Sequence, residues 1–239
     1  MTTHSTGFVG LFGVQQNYQK RGIGGLLLNS CMKHIGDRNC GVFSLPNRLT
    51  LYQNYYNFKV NDSKQLVVFA GIPQNIENIN VLIDKNQEIK EFKPKDTQLL
   101  SKIIEFDTKV HKQSRQQLLT SCLNGSDCKT FAILDKINDQ MTGFGCIRTN
   151  IDGIAIIGPV YADNDSIAEI LIYNLIKYCE TSQTNGFIYP TLNCCQSSQR
   201  IARKLSLLEF SSSPTLFTKS SPPLSDEYIY CIHSPNFSF

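Results

Sequence analysis

The apolar positions of this chain change period several times, and each change marks an element. Residues 7–14 (GFVGLFGV) form an unbroken apolar run containing glycine, which predicts a buried strand. After the turn QQNYQKRGIGG, Ile23, Leu27, Cys31 and Ile35 recur at four-residue steps, with Leu26 and Leu28 widening the stripe. That spacing predicts an amphipathic helix, stopped by Lys33 and His34 in its last turn and Gly36 just beyond. CGVFSL (40–45) predicts a short buried strand ended by Pro46. Asn47 is placed to cap a second helix through about Tyr56, and QLVVFAGI (65–72) predicts a strand.

Between Pro73 and Asn80 the pattern turns polar, and the sequence places a domain boundary there, giving domains 1–73 and 74–239. Helices are predicted over 95–107 and 113–123, and strands at 130–135, 142–148 and 153–161. A long amphipathic helix over about 165–181 uses Ile167, Leu171, Leu175 and Tyr178. FIYP (187–190) predicts a strand, 196–208 a helix with Ile201, Leu205 and Leu208 on one face, 211–226 a polar loop, and 227–234 a last strand. FSLPN…LYQNYYNF (43–58) and FIYPTLN…ARKLSLLEF (187–210) repeat one order of strand, proline, asparagine, helix and aromatic. The repeat points to an internal duplication of an αβ unit.

Composition narrows the class. The chain has 239 residues, 41% hydrophobic and 18% charged, enough to bury one large core or two small ones. No apolar run approaches the ~20 residues needed to span a bilayer, and the start shows no cationic segment leading into an apolar one. Nine cysteines, an odd number without a C-x-x-C pair and with Cys194 next to Cys195, read as reduced thiols rather than a disulfide framework or zinc site. The expectation is a cytoplasmic protein with no metal, no nucleic-acid partner and no membrane partner. Net charge is +3, but it is uneven: residues 1–60 carry six cations against Asp37 alone, +5, leaving −2 for the rest. A segment this basic suits a small phosphorylated ligand as well as a solvated basic face.

The segment richest in chemistry is Val14–Gly25. A strand runs into a Gln19-x-x-Gly22-x-Gly24 turn that opens directly into a helix. The first helical turn has backbone N–H groups without internal partners, and the macrodipole adds positive potential, so the place suits an anion. Glycines there remove the Cβ atoms that would hold a diphosphate off the backbone, while Gln19, Lys20 and Arg21 add donors and charge. A Rossmann site would need a third glycine and a ribose-binding acid ~20 residues on. A Walker loop would need Gly-Lys-Ser/Thr. Neither is present.

This stretch resembles the acetyl-CoA loop of GNAT acetyltransferases, Arg/Gln-x-x-Gly-x-Gly/Ala after the fourth strand, and the lead-in from Val14 to Tyr18 is similar as well. FDTKVHKQSRQQLL (106–119), TGFGCIR (142–148) and IIGPVYADNDSIAEILIYNLI (156–176) resemble the second domain of YitH-like two-domain acetyltransferases. The resemblance implies an α/β fold (α+β by layer) of tandem GNAT-like units, mixed sheets flanked by helices, with the leading strands of the first unit missing. It implies acetyl-CoA as co-substrate and an amine as acceptor. Val14, Gln19, Lys20, Arg21, Gly22, Ile23, Gly24 and Gly25 would then bind the cofactor, with a backbone N–H near Val14 polarising the thioester carbonyl.

The resemblance also assigns a tyrosine that protonates the departing thiolate. Leu51-Tyr52 matches the family's Leu-Tyr pair, making Tyr52 the candidate. The family's closing Gly-Phe is met one residue late, by Asn57-Phe58, and anchoring there would put Gln53 in that place, with Tyr55 and Tyr56 nearby. The family's base is commonly a glutamate; residues 1–60 offer only Asp37, His4 and His34, none well placed. In the second half, Gly158-Pro-Val-Tyr-Ala-Asp-Asn-Asp165 has no G-x-G and no cation, and Asp163 and Asp165 would cap the helix and repel a diphosphate. Cys194, Cys195 and His233 allow a thiol nucleophile if they meet in space, and Asp107 and Arg115 can pair as surface or packing charges. The functions these readings support are an N-acetyltransferase, a non-catalytic CoA-binding or scaffold protein derived from a truncated or degenerate GNAT, or a structural duplicate without ligand.

Overall fold

A computed structural model describes residues 5–10, 13–79, 81–180 and 184–235. Its elements in chain order are β1 (Thr6–Val9), α1 (Ile23–Ile35), β2 (Asn39–Phe43), α2 (Leu49–Tyr56), β3 (Val60–Gly71), β4 (Gln87–Glu91), α3 (Thr97–His111), α4 (Gln116–Leu123), β5 (Cys128–Asp135), β6 (Met141–Thr149), β7 (Ile154–Ala162), α5 (Asp165–Glu180), β8 (Gly186–Leu192), α6 (Gln196–Lys204), β9 (Leu208–Phe217) and β10 (Ile229–Cys231). The chain divides into two compact units, the first Met1–Gln65 with Ser213–Pro222, the second Leu66–Ser212 with Pro223–Pro235.

In the first unit β1 pairs in parallel with β2, Thr6 opposite Asn39 through Val9 opposite Val42, and α1 makes the crossover. On its other side β2 pairs antiparallel with the end of β9, Gly41 opposite Phe217. The first unit therefore completes its sheet with residues from far along the chain. Its core joins Val9, Leu28, Ile35, Cys40, Val42, Tyr52, Phe58 and Leu216, each large side chain contributing about 1.5–3 kcal/mol of burial. In α1 the buried residues are Leu28 and Ile35, while Leu26 and Leu27 are 70% and 41% exposed. The stripe expected through Leu27 thus turns toward Leu28 by one position.

In the second unit β4, β5, β6 and β7 form an antiparallel run, β7 pairs in parallel with β8, and β8 pairs antiparallel with Leu66–Gly71 of β3. Helix α5 carries Ile167, Ala168, Ile170, Leu171, Ile172, Leu175, Ile176 and Cys179 fully into the core. Tyr178, assigned to the same stripe by spacing, is 42% exposed.

Several expectations need correction. Residues 211–217, read as loop because of their serines, belong to β9, whose inward positions Ser213 and Thr215 are buried with Leu216 and Phe217. Leu208 lies at the exposed start of that strand, not on α6. Asn47 sits inside a short 3-10 turn and caps nothing; Arg48 precedes the first residue of α2. Strand β4, QEIKE, escapes a reading by apolar periodicity because only Ile89 is apolar among five residues. Of the run 7–14, β1 covers the first part only; Leu11 and Phe12 lie outside the described residues, as does His4.

Candidate functional site

Each unit contains a strand, a helix and a parallel strand in sequence, so each presents a helix N-terminus at the carboxyl end of a parallel pair: β1-α1-β2 and β7-α5-β8. In open α/β sheets that end is where ligands bind.

In the first unit, Gly22 stands just before α1 with φ +80°, a left-handed conformation that favours glycine. The first i to i−4 bond is donated by the Leu26 amide to the Gly22 carbonyl at 3.1 Å. No side chain caps this end, and its first turn has no acid. A Cβ on Gly22 would meet nothing within 4 Å, one on Gly24 only Val14 Cγ2 at 3.7 Å, and one on Gly25 only the Tyr56 hydroxyl at 3.8 Å. Gly24 and Gly25 are therefore not demanded by protein packing, although each costs about 1 kcal/mol against alanine in a helix interior.

The residues before the helix divide into two roles. Gln19 donates from Nε2 to the Val14 carbonyl at 3.0 Å, folding the loop on itself instead of reaching outward. Lys20 is exposed at φ +60°, and Arg21 is exposed with its guanidinium 5.5 Å from the Tyr18 ring centroid. Val14 and Ile23 are half-buried. Tyr52 is 8% exposed, packed edge-on against Phe58 at 5.5 Å, and burial pushes its phenol up from the ordinary value. The tyrosine that reaches the glycine turn is Tyr56, four residues on and so on the same helix face; Tyr55 is 78% exposed. His34 and Asp37 are exposed at the far end of α1, about 20 Å along the helix from Gly22.

The second unit treats its helix end differently. Asn164 Oδ1 accepts from the Ile167 amide at 3.1 Å and caps α5. Asp165, the first helical residue, accepts from the Tyr230 hydroxyl at 2.6 Å and Ser197 Oγ at 3.1 Å, and pairs with Arg200. Burial opposes its ionisation, but the Tyr230 and Ser197 hydrogen bonds and the Arg200 charge prevail and hold the carboxyl below the usual carboxylate range. Asp163 pairs with Lys109 at 3.0 Å. Strands β7 and β8 pair only from Ile154 to Ile156. Beyond that point β10 enters, with Ile229 opposite Tyr161, Cys231 opposite Val160, and the Ile232 amide donating to the Pro190 carbonyl at 2.9 Å. The chain itself occupies the opening between the two strands.

A polar cluster is buried behind this end. Arg115 donates to both Asp107 oxygens, at 2.5 and 3.0 Å, and to the Tyr161 hydroxyl at 3.3 Å, while His111 Nε2 lies 2.9 Å from the same hydroxyl. Asp107 and Arg115 do pair, but in the interior, not at the surface. Burial, then the charges of Arg115 and His233, pushes the His111 imidazole well down. His233 Nε2 sits 3.0 Å from Arg148 Nη1 and does not line the cleft that holds Cys194 and Cys195. Cys194 and Cys195 instead line an open cleft of 880 Å³ with Asp163, Asp165, Asp226 and Tyr230.

Residues 103–231, more than half of the chain, match the family model described as acetyltransferase (GNAT) domain. Among solved structures, an acetyltransferase from Pyrococcus horikoshii is similar with a TM-score of 0.72 at 16% identity, over 96% of this chain and 71% of that one. A tandem GNAT protein from the clavulanic acid biosynthesis pathway gives 0.64 at 11% identity, over 91% and 76%. A GCN5-related N-acetyltransferase from Sphaerobacter thermophilus gives 0.59 at 12% identity, over 89% and 72%. A search of curated proteins by sequence finds no match. Among the described residues no helix is long and apolar enough to cross a membrane. The mixed α/β architecture, the likeness to tandem GNAT structures and the family match agree, and the chain belongs to the GNAT acetyltransferase family.

Proposed function

We propose that this chain is an acetyl-CoA-dependent N-acyltransferase of the cytoplasm, in a YitH-like tandem arrangement, whose cofactor diphosphate is held at the start of α1. The observation that carries the reading is the uncapped first turn, where a Cβ on Gly22, Gly24 or Gly25 would meet no side chain closer than 3.7 Å. Backbone amides and the helix dipole there suit phosphate oxygens. Lys20 and Arg21, both exposed at the rim, add charge. Acetyl-CoA would supply an activated thioester carbonyl for attack by an amine.

Within this chain the donor to that carbonyl would be a backbone N–H near Val14, which does not depend on the side chain there. Tyr52 is the proposed proton donor: its raised phenol stays protonated through neutral pH. Tyr56 is the neighbour that would steady the cofactor over Gly25.

A second reading, a CoA-binding protein without catalysis, is favoured by one observation. Asp37 and His34 stand at the opposite end of α1, and Asp62 is taken by Lys64 at 4.0 Å and by Ser221. Calorimetric titration of acetyl-CoA separates the readings when followed by turnover with small amines, a peptide N-terminus and a lysine peptide. Binding and turnover support the enzyme; binding without turnover across the panel leaves the second reading. If a folded chain binds no acetyl-CoA, both are wrong.

A further inference from the structure

We propose that Cys194 and Cys195 form a vicinal dithiol site that takes a neutral, trivalent arsenical. Neighbouring residues of an extended chain point to opposite faces, so adjacent cysteines do not ordinarily bring their sulfurs together. Here a turn does so. The Cys195 amide donates to the Leu192 carbonyl at 3.0 Å and the Gln196 amide to the Cys194 carbonyl at 3.1 Å. The chain folds tightly as it enters α6, and the two Sγ atoms come to 3.9 Å. Both thiols line the open 880 Å³ cleft of the second unit, Cys194 exposed and Cys195 8% exposed behind it.

Chain geometry and charge select the ligand. A direct disulfide is disfavoured: consecutive Cα atoms lie about 3.8 Å apart, below the about 4.4 Å at which disulfide spacings begin. An inserted atom relaxes that demand. A two-coordinate soft cation needs its sulfurs on opposite sides, which neighbouring residues cannot supply. Among the described residues no group of three or more His, Cys, Asp and Glu side chains could hold a metal ion. Pyramidal trivalent arsenic takes both sulfurs from one side. Asp163 and Asp165 are balanced by Lys109 and Arg200, and the Asp226 and Glu227 carboxylates at the cleft disfavour anionic reagents and leave a neutral arsenical unopposed. In the step, two As–S bonds form and the As–O bond of an arylarsine oxide breaks. The two thiol protons leave with that oxygen as water, and arsenic stays trivalent.

The test titrates phenylarsine oxide into the reduced full chain at neutral pH, with intact mass and a count of remaining thiols. The expected result is one adduct per chain that consumes two of the nine thiols. Ethanedithiol should remove it, and an equal concentration of a monothiol should not. Cys194→Ser, at an exposed position, and Cys195→Ala should each lose it, with melting temperature as the check on folding. Three outcomes overturn the proposal. They are no adduct on the folded chain, release by the monothiol, and full adduct in a folded Cys194→Ser variant, which would move the site to another pair such as Cys128 and Cys146.

Discussion

The start of α1 and the start of α5 occupy the same place in a strand-helix-strand unit, yet their polar groups are used in opposite ways. At α5, Asn164 caps, Asp165 is held by Tyr230, Ser197 and Arg200, and β10 lies between the flanking strands. At α1 there is no cap and no acid, and the glycines leave open space. The family match falls on the half whose helix end is occupied by its own chain, while the open helix end lies before that match begins. Shared topology therefore does not make the two helix ends equivalent; their chemistry differs.

That contrast predicts that damage to the second unit appears as lost stability and damage to the α1 turn as lost binding. The largest effect is expected for Asp107→Asn. It strands the buried Arg115 guanidinium, fully enclosed beside Tyr161, and should cost about 3–5 kcal/mol of unfolding free energy. Pairing it with Arg115→Met should recover most of that loss in urea titrations, and a double variant as unstable as the single one would contradict the ion-pair account.

Gly24→Asp comes next, on binding alone. Its Cβ has room and an acid in a first helical turn is favourable, so the melting temperature should hold or rise. Acetyl-CoA affinity should fall by about 2–3 kcal/mol, from lost charge-assisted hydrogen bonds and added repulsion. Unchanged affinity would move the cofactor off this turn.

The buried histidines give a pH dependence confined to the second unit. His111 faces Tyr161, Arg115 and Asp107, and His233 faces Arg148; both imidazoles are pushed well below the ordinary value. Below about pH 6.5 the unfolded chain binds protons that the folded chain refuses, so stability falls as pH drops, by up to about 1.4 kcal/mol per unit for each histidine. Denaturation at pH 7 and 5.5 should give a smaller difference in His111→Gln than in the parent.

The smallest expected change is Asn164→Ala, about 1 kcal/mol from the lost α5 cap. Acetyl-CoA titration should be unaffected, and a change in affinity would mean that the α5 end also takes part in binding.

Local signals made much of this legible. Helix α1 begins at Ile23 and ends at Ile35 as its glycines and its Lys33, His34 and Gly36 stop signal indicate, because caps and stops act within one turn. The acids at the start of α5 were legible but their role was not: Asp163 and Asp165, expected to cap the helix, pair with Lys109 and with Tyr230, Ser197 and Arg200, distant in sequence, and Asn164 between them makes the cap. The tyrosine was harder to fix, because the closing Asn57-Phe58 comes one residue late and left Tyr52 and Gln53 as alternatives; only packing shows Tyr52 against Phe58 and Tyr56 against Gly25.

Sequence alone thus determined the glycine turn and helix of the first unit and the place where the second unit's helix starts, since hydrophobic period and helix stops are short-range. Tertiary structure decided what depends on distant partners. A serine-rich stretch becomes the strand that completes the first unit because Gly41–Phe43 offer it a ladder. Strand β10 closes the opening between β7 and β8 through bonds to Tyr161, Val160 and Pro190. Asp107 and Arg115 become interior because Tyr161, 46 residues beyond Arg115, joins their hydrogen-bonded network, and no periodicity encodes a partner at that separation.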